Sequence, residues 1–186
     1  MQIFSYKGVS PKMAFTNFVS STSVLIGRVE LKELANIWFG TVIRGDVNDI
    51  KIGHSTNIQD LCMLHVTEKD HLLIGDHVSV GHSVVLHGCE IGDGCLIGMG
   101  SKILDGAKIG KNCLVAAGSV VPPNKIYEEG SFIIGAPAKV KRMLSSEEVQ
   151  SVSNHYKAYL VYAEEFRTGD VEDLSKNYLD KYNHRD

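Results

Sequence analysis

The sequence predicts a mainly β fold, a parallel β-helix of hexapeptide repeats followed by a C-terminal α-helix. Aliphatic residues recur at intervals of six in four runs, and a small or β-branched residue follows most of them four positions later. The longest run is Ile91, Ile97, Ile103, Ile109, Val115 and Val121. Neither an α-helix nor an alternating hairpin has a period of six. Six-residue repeats are typical of parallel β-helices, in which three short strands complete one coil.

The repeat also assigns a place to three of the four cysteines. Cys62, Cys95 and Cys113 all fall at the small inward position, four residues after an aliphatic residue. We therefore expect them to fill the core as free thiols rather than to form disulfides. Free thiols favour a reducing compartment, and the N-terminus lacks the apolar stretch of a secretory signal. The expected location is the cytoplasm.

The C-terminal region changes from a six-residue to a helical period. The apolar positions at helical spacing are Val149, Val152, Tyr156, Tyr159, Ala163 and Phe166. Ser145 and Glu148 have the spacing of a capping box, and Gly169 is a candidate helix stop. We expect residues 1–142 to form the β-helix with an N-terminal lead-in. Residues 143–186 should then form a helix and a polar tail that pack on the β-helix.

The bulk composition argues against two classes of partner. The chain has 186 residues and a formal net charge of −3, so it carries no basic footprint for nucleic acid. No stretch is long and apolar enough to predict a membrane span.

The repeat predicts where the histidine side chains point. Three repeats make a coil, so residues three repeats apart stack on one face, as Ile43, Leu64 and Leu86 should. The residue after each of these points outward because strand side chains alternate. Arg44, His65 and His87 should therefore stack on one outer face. Two imidazoles at one strand spacing can bind the same metal ion. The alternative is that they are solvated surface residues.

His82 follows a different rule, because it lies two residues after the inward Val80, at a corner of the coil. A third metal ligand at the flat face could then come from the edge of another subunit. Asp60 has the same offset from Ile58, three repeats earlier, so it should lie one coil below His82. It either accepts a hydrogen bond from His82 or bonds its own backbone at the bend.

Three stretches resemble the γ-class carbonic anhydrase family: "WFGTVIRGDVNDIKIG", "TNIQDLCMLHV" and "VGHSVVLHGCEIG". They contain the spacing H-x16-H-x4-H. The resemblance implies a left-handed β-helix and a homotrimer with metal sites at the subunit interfaces. It implies that His65, His82 and His87 are the metal ligands. The implied metal is Zn2+, and Fe2+ or Co2+ suits the same ligands.

The resemblance also implies roles for residues around the metal. Gln59 matches the residue that orients the metal-bound water, and Asn57 matches a polar residue of the active-site wall. Arg44 and Asp46 match an interface ion pair beside the site. Tyr159 is the best candidate for the family's active-site tyrosine, although it is equally well explained as a helix-packing residue. The implied activity is that of a lyase, the reversible hydration of CO2 to bicarbonate.

One departure from the family concerns proton transfer. The long acidic loop of the best-studied branch is reduced here to "TEKDH", residues 67–71. Glu68 matches the start of that loop, and Val47 stands where that branch has a second glutamate. Glu68 or His71 is left to carry protons, so a weak activity is an open alternative. Two other functions stay open. They are a hexapeptide-repeat acyltransferase with a histidine base, and a non-enzymatic, metal-bound trimeric scaffold.

Overall fold

The six-residue repeat folds into a parallel β-helix in the computed structural model, which describes residues 1–169 and residue 171. The strands of this described part are β1 Gln2–Phe4, β2 Lys12–Met13, β3 Phe18–Val19, β4 Val24–Leu31, β5 Asn36–Ile37, β6 Val42–Ile52, β7 Asn57–Ile58, β8 Met63–His65, β9 Leu72–Ile74, β10 Ser79–Val80, β11 Val85–His87, β12 Glu90–Ile91, β13 Leu96–Ile97, β14 Lys102–Ile103, β15 Lys108–Ile109, β16 Leu114–Val115, β17 Val120–Val121, β18 Ile126–Tyr127, β19 Ser131–Gly135 and β20 Ala138–Met143.

The strands form three faces. The first face runs in the order β6, β8, β11, β14 and β17, and the third in the order β6, β9, β12, β15 and β18. The long strand β6 belongs to both, because Val42–Arg44 pair with β8 and Ile50–Ile52 pair with β9. The second face contains β3, β5, β7, β10, β13, β16 and β19. Its last pair, β19 with β20, is antiparallel.

The core confirms the predicted inward positions. Ile43, Leu64 and Leu86 are fully buried and adjacent in the strand register. Cys62, Cys95 and Cys113 are buried as well, and none of the four cysteines forms a disulfide. Burial raises the pKa of the Cys62 thiol to about 12, so this thiol stays protonated at neutral pH and acts as a small apolar group.

The C-terminal arm consists of α1 Ser146–Asn154 and α2 Tyr156–Thr168, so the predicted single helix is divided at His155. The backbone of His155 is itself helical, with φ −57° and ψ −34°. The predicted capping box at Ser145 is present, and Gly169 ends α2 with φ 90°. The predicted polar tail beyond residue 171 lies outside the described residues. In the described residues, no helix has both the length and the apolarity that a membrane span requires.

The arm packs against the second face through aromatic side chains. The ring of Trp38 lies after β5, with its centroid 5.5 Å from that of Tyr159 and 5.4 Å from that of Phe166. Phe18 of β3 stacks against both Trp38 and Phe166. Aromatic pairs at these separations are favourable, so this cluster fixes α2 over the second face.

Candidate metal centre

Arg44, His65 and His87 stack on the first face, as the repeat predicts. Arg44 of β6 is paired with His65 of β8, and His65 is paired with His87 of β11. All three side chains point outward from a fully buried column of inward residues. Parallel pairing places equivalent residues about 4.8 Å apart, which brings the two imidazole rings into contact.

The His65 ring is held from both sides. Its Nδ1 atom lies 3.0 Å from Nε2 of His87, and its Nε2 atom lies 3.0 Å from Oδ1 of Asp46. The other oxygen of Asp46 accepts a hydrogen bond from Arg44. Burial raises the pKa of the Asp46 carboxyl group, whereas the hydrogen bonds from His65 and Arg44 lower it. The hydrogen bonds have the larger combined effect, so the pKa is lowered. Asp46 is therefore an ionised acceptor beside His65 at neutral pH.

His87 also has a carboxylate partner, which the sequence reasoning missed. Its Nδ1 atom is hydrogen-bonded to Oδ1 of Asp105, from the coil above. Gly88 makes room for this contact, because a Cβ atom there would meet Oδ1 of Asp105 at 3.0 Å and Cβ of Asp70 at 2.9 Å. Gly88 also has φ +51°, in the left-handed region that favours glycine. We call Arg44, Asp46, His65, His87 and Asp105 the face cluster.

The two nitrogens that face each other in the face cluster fit a metal ion. A carboxylate only accepts hydrogen bonds, so the ring nitrogen beside each carboxylate carries the proton. In neutral rings, Nδ1 of His65 and Nε2 of His87 then both present lone pairs, 3.0 Å apart. Such lone pairs repel unless a cation lies between them, either a proton carried by one ring or a metal ion. Two imidazole ligands of a tetrahedral zinc ion are separated by about 3.3 Å, given Zn–N distances near 2.0–2.1 Å.

His82 lies at the corner beside the second face, apart from the face cluster. Its Nδ1 atom is 2.8 Å from Oδ2 of Asp60, so the contact predicted from the repeat is present. The other oxygen of Asp60 accepts from the backbone N–H of Phe39 at 3.2 Å. With its Nδ1 atom bonded to a carboxylate, His82 has Nε2 available as a metal ligand.

Asn57 and Gln59 lie on the second face next to His82. The side chains are almost completely buried, with 0% and 3% exposure. Nε2 of Gln59 donates to Oδ1 of Asn57 at 3.1 Å, and Nδ2 of Asn57 donates to the Ser79 hydroxyl at 2.8 Å. Buried amides without partners are costly, so these bonds hold both side chains in place.

Tyr159 of α2 borders the same groove as Gln59 and His82. Its ring packs edge-on against Trp38, so the helix-packing role considered from the sequence is present. Burial and the negative charge of Asp60 both raise the pKa of its hydroxyl group, which keeps Tyr159 protonated. We call Asn57, Gln59, Asp60, His82 and Tyr159 the corner cluster.

The two residues considered for proton transfer belong to neither cluster. Glu68 is exposed, and its carboxylate makes no hydrogen bond or ion pair with any described residue. The Nε2 atom of His71 lies 3.6 Å from Oε1 of Glu90 on the third face. Across residues 1–169 and 171, no three His, Cys, Asp or Glu side chains converge on a single point that suits a metal ion. One chain thus carries two histidines in one cluster and the third in another.

Comparisons with known proteins agree with this architecture. Residues 71–104 and 88–123 match the family described as bacterial transferase hexapeptide (six repeats). Over 83% of its length the chain is 41% identical to Gamma carbonic anhydrase 2, mitochondrial, of Arabidopsis thaliana, although it spans only 58% of that protein. It is 39% identical to a carbonic anhydrase of Geobacillus kaustophilus, with 85% of this chain and 87% of that protein covered. The crystal structure of a hexapeptide transferase family protein from Anaplasma phagocytophilum matches with a TM-score of 0.83 and 36% identity, covering 88% of this chain and 96% of that one.

Proposed function

The chain belongs to the γ-class carbonic anhydrase family of hexapeptide-repeat proteins, and from that premise we propose that it is a metal-dependent enzyme that reversibly hydrates CO2 to bicarbonate and a proton. The observation that best supports this proposal is the pair of imidazole nitrogens that face each other 3.0 Å apart, each ring having its other nitrogen on a carboxylate. The two facing nitrogens need a cation between them, and we propose that it is a metal ion.

The proposed metal is Zn2+, with Fe2+ or Co2+ as alternatives that suit the same ligands. We propose that His65 and His87 of one subunit and His82 of its neighbour hold the ion in a homotrimer. The separation of the face and corner clusters supports a shared site. Exposed apolar side chains near both clusters, Leu61, Met63 and Met99, supply a surface for association.

The chain's own residues have defined tasks in this reaction. When bound, the metal ion would act as a Lewis acid and allow water to ionise near neutral pH. Asp46, Asp60 and Asp105 each accept the N–H of one histidine and so fix which ring nitrogen is free. Gln59 holds the attacking water by its amide, which Asn57 orients. Tyr159 closes one side of the groove. The released proton passes to solvent buffer, because Glu68 and His71 are poorly placed to carry it.

The two alternative functions make different demands. The transferase names among related hexapeptide proteins are the reason to keep acyl transfer as an alternative, which uses the same fold without needing a metal. A scaffold would bind metal without turnover. Buried cysteines that form no disulfide support the cytoplasm as the location.

The test is stopped-flow CO2 hydration on protein of measured metal content. We expect about one ion per chain and hydration that is lost in His82→Ala. The control is His77→Ala, a histidine outside both clusters, which should keep both properties. Full metal content without hydration would favour the scaffold. Metal-free protein that transfers an acetyl group from acetyl-coenzyme A would favour the transferase.

A further inference from the structure

A chain of hydrogen bonds links Gln59 to the C-terminal arm. Gln59 donates to Asn57, and Asn57 donates to the Ser79 hydroxyl, which lies on the neighbouring strand β10. The Ser79 oxygen is in turn 3.1 Å from Nδ1 of His155, the residue between α1 and α2. Gln59, Asn57 and Ser79 are all buried. The helical arm therefore has a direct polar connection to an amide of the corner cluster.

The direction of this chain follows from the donors and acceptors. Nδ2 of Asn57 also lies 3.4 Å from the backbone carbonyl oxygen of Val78, which can only accept. The amide nitrogen of Asn57 must therefore point towards Val78 and Ser79, and its oxygen towards Gln59. Because the Ser79 oxygen accepts from Asn57, its own proton is available for Nδ1 of His155. The His155 tautomer with its proton on Nε2 is the one that accepts this proton and completes the order.

The opposite tautomer would weaken the hold of Ser79 on this order. If Nδ1 of His155 carried the proton, His155 would donate to Ser79, and the Ser79 proton would lose its acceptor on His155 and turn towards its other neighbours, Asn57 included. The Val78 carbonyl would still favour the same Asn57 orientation, but the hydrogen bond from Asn57 to Ser79 would be weakened. By accepting the Ser79 proton, His155 thus reinforces the order of amides that leaves the Gln59 oxygen towards the groove beside His82.

We propose that His155 is a positioning residue, which acts through Ser79 and Asn57 to present the carbonyl oxygen of Gln59 to the groove shared with His82. Oε1 of Gln59 makes no hydrogen bond to a described residue. Every fully buried polar side-chain atom of the described residues does have a hydrogen-bond partner, so Oε1 is not fully buried. This oxygen therefore reaches the surface of the groove. There it can accept a hydrogen bond from the attacking water, a consequence that rests on the proposed function.

The geometry can be tested by NMR without any assay of activity. The chain has only three glutamines, Gln2, Gln59 and Gln150, so selective 15N labelling gives a simple side-chain amide spectrum. We expect the 15N shifts of His155 to show the Nε2–H tautomer, with and without added Zn2+. The Gln59 amide signals should shift and exchange faster in His155→Leu and in Ser79→Ala. His155→Asn should restore them, because its side-chain oxygen can accept from Ser79.

The matched control is His77→Leu. His77 packs on Tyr156 of α2, with ring centroids 4.5 Å apart, and makes no hydrogen bond in the Gln59 chain. If the arm were merely loosened, His77→Leu would change the Gln59 signals as His155→Leu does. Such a result, or a His155 ring with its proton on Nδ1, would overturn the proposal. So would Gln59 signals that are unchanged in both His155→Leu and Ser79→Ala.

Kinetics then test the consequence for the proposed reaction. In metal-matched protein, kcat/KM should fall roughly threefold to tenfold in His155→Leu and in Ser79→Ala, the size expected for one net hydrogen bond. The double variant should lose no more than either single variant, because both break the same link. Additive losses would contradict the shared link. If the unaltered protein hydrates no CO2, the proposed function fails, while the NMR result still decides the role of His155.

Discussion

Nδ1 of His65 lies 3.0 Å from Nε2 of His87, and the opposite nitrogen of each ring contacts a carboxylate, Asp46 or Asp105. This arrangement presents two lone pairs to one point in space. His82 has the same design at the corner of the coil, with Asp60 on its Nδ1 atom. The three histidines thus share one pattern, in which a carboxylate fixes the ring and leaves one nitrogen free for a metal.

The carboxylate partners should strengthen metal binding. We expect Asp60→Asn and Asp105→Asn each to weaken Zn2+ affinity about 10- to 100-fold, because an amide is a poorer acceptor for the histidine N–H than a carboxylate. Competition with a chelator measures this affinity. Asp49→Asn is the control, since the Asp49 side chain pairs with Arg28 alone among the described residues, in an exposed ion pair. Unchanged affinity in both variants would mean that these aspartates serve the bends and not the metal.

Proton transfer should limit turnover. The Glu68 carboxylate has no bonded partner among the described residues, and His71 faces Glu90 on another face, so neither connects the site to solvent. Added imidazole should therefore raise kcat of CO2 hydration while kcat/KM stays nearly constant. An equal ionic strength of a non-buffering salt is the control. If kcat were indifferent to imidazole, the short loop would not be the bottleneck.

Glu148 should make the anchoring of the arm depend on pH. Its carboxylate accepts two hydrogen bonds from Arg142 and one from the backbone of Ser145, which lower its pKa from 4.5 to about 2. A lowered pKa stabilises the folded state above pH 4.5, and this contribution is lost as the pH falls from 4.5 to about 2. The difference in urea midpoint between the unaltered protein and Glu148→Gln should shrink over this interval. A constant difference would show that the ion pair adds nothing to stability, as for many exposed pairs.

The sequence predicted the first-face stack because the six-residue repeat, although shifted between runs, fixes both the inward column and the outward neighbours. His65 and His87 could be paired from the positions of Leu64 and Leu86 alone, and the same rule placed Asp60 below His82. Asp105 obeys this rule too, two residues after Ile103. The rule stacks Asp105 on Gly88, which has no side chain to bond, so nothing in the sequence paired it with His87. The structure shows that the missing Cβ atom of Gly88 leaves room for the Asp105 carboxylate to reach His87.

Other features depend on packing that no repeat encodes. The division of the arm at His155 was not predicted, because the apolar spacing continues through that position. The contact between His155 and Ser79 joins residues 76 positions apart and depends on how the arm lies over the second face. The proton-relay residues could not be placed either, because the short loop at 67–71 follows no six-residue rule.

The central claim is that each metal site joins the face cluster of one chain to the corner cluster of the next. It is tested most directly by the metal content of mixed trimers of His82→Ala and His65→Ala chains, each metal-poor alone. An interface that takes its face from the His82→Ala chain and its corner from the His65→Ala chain has all three histidines. The control mixture, His65→Ala with His87→Ala, has a defective face in every chain and should stay metal-poor. We predict that hybrids of the first pair, identified by native mass spectrometry, regain part of their metal. Confirmed hybrids that bind no more metal than their parents would contradict the shared site.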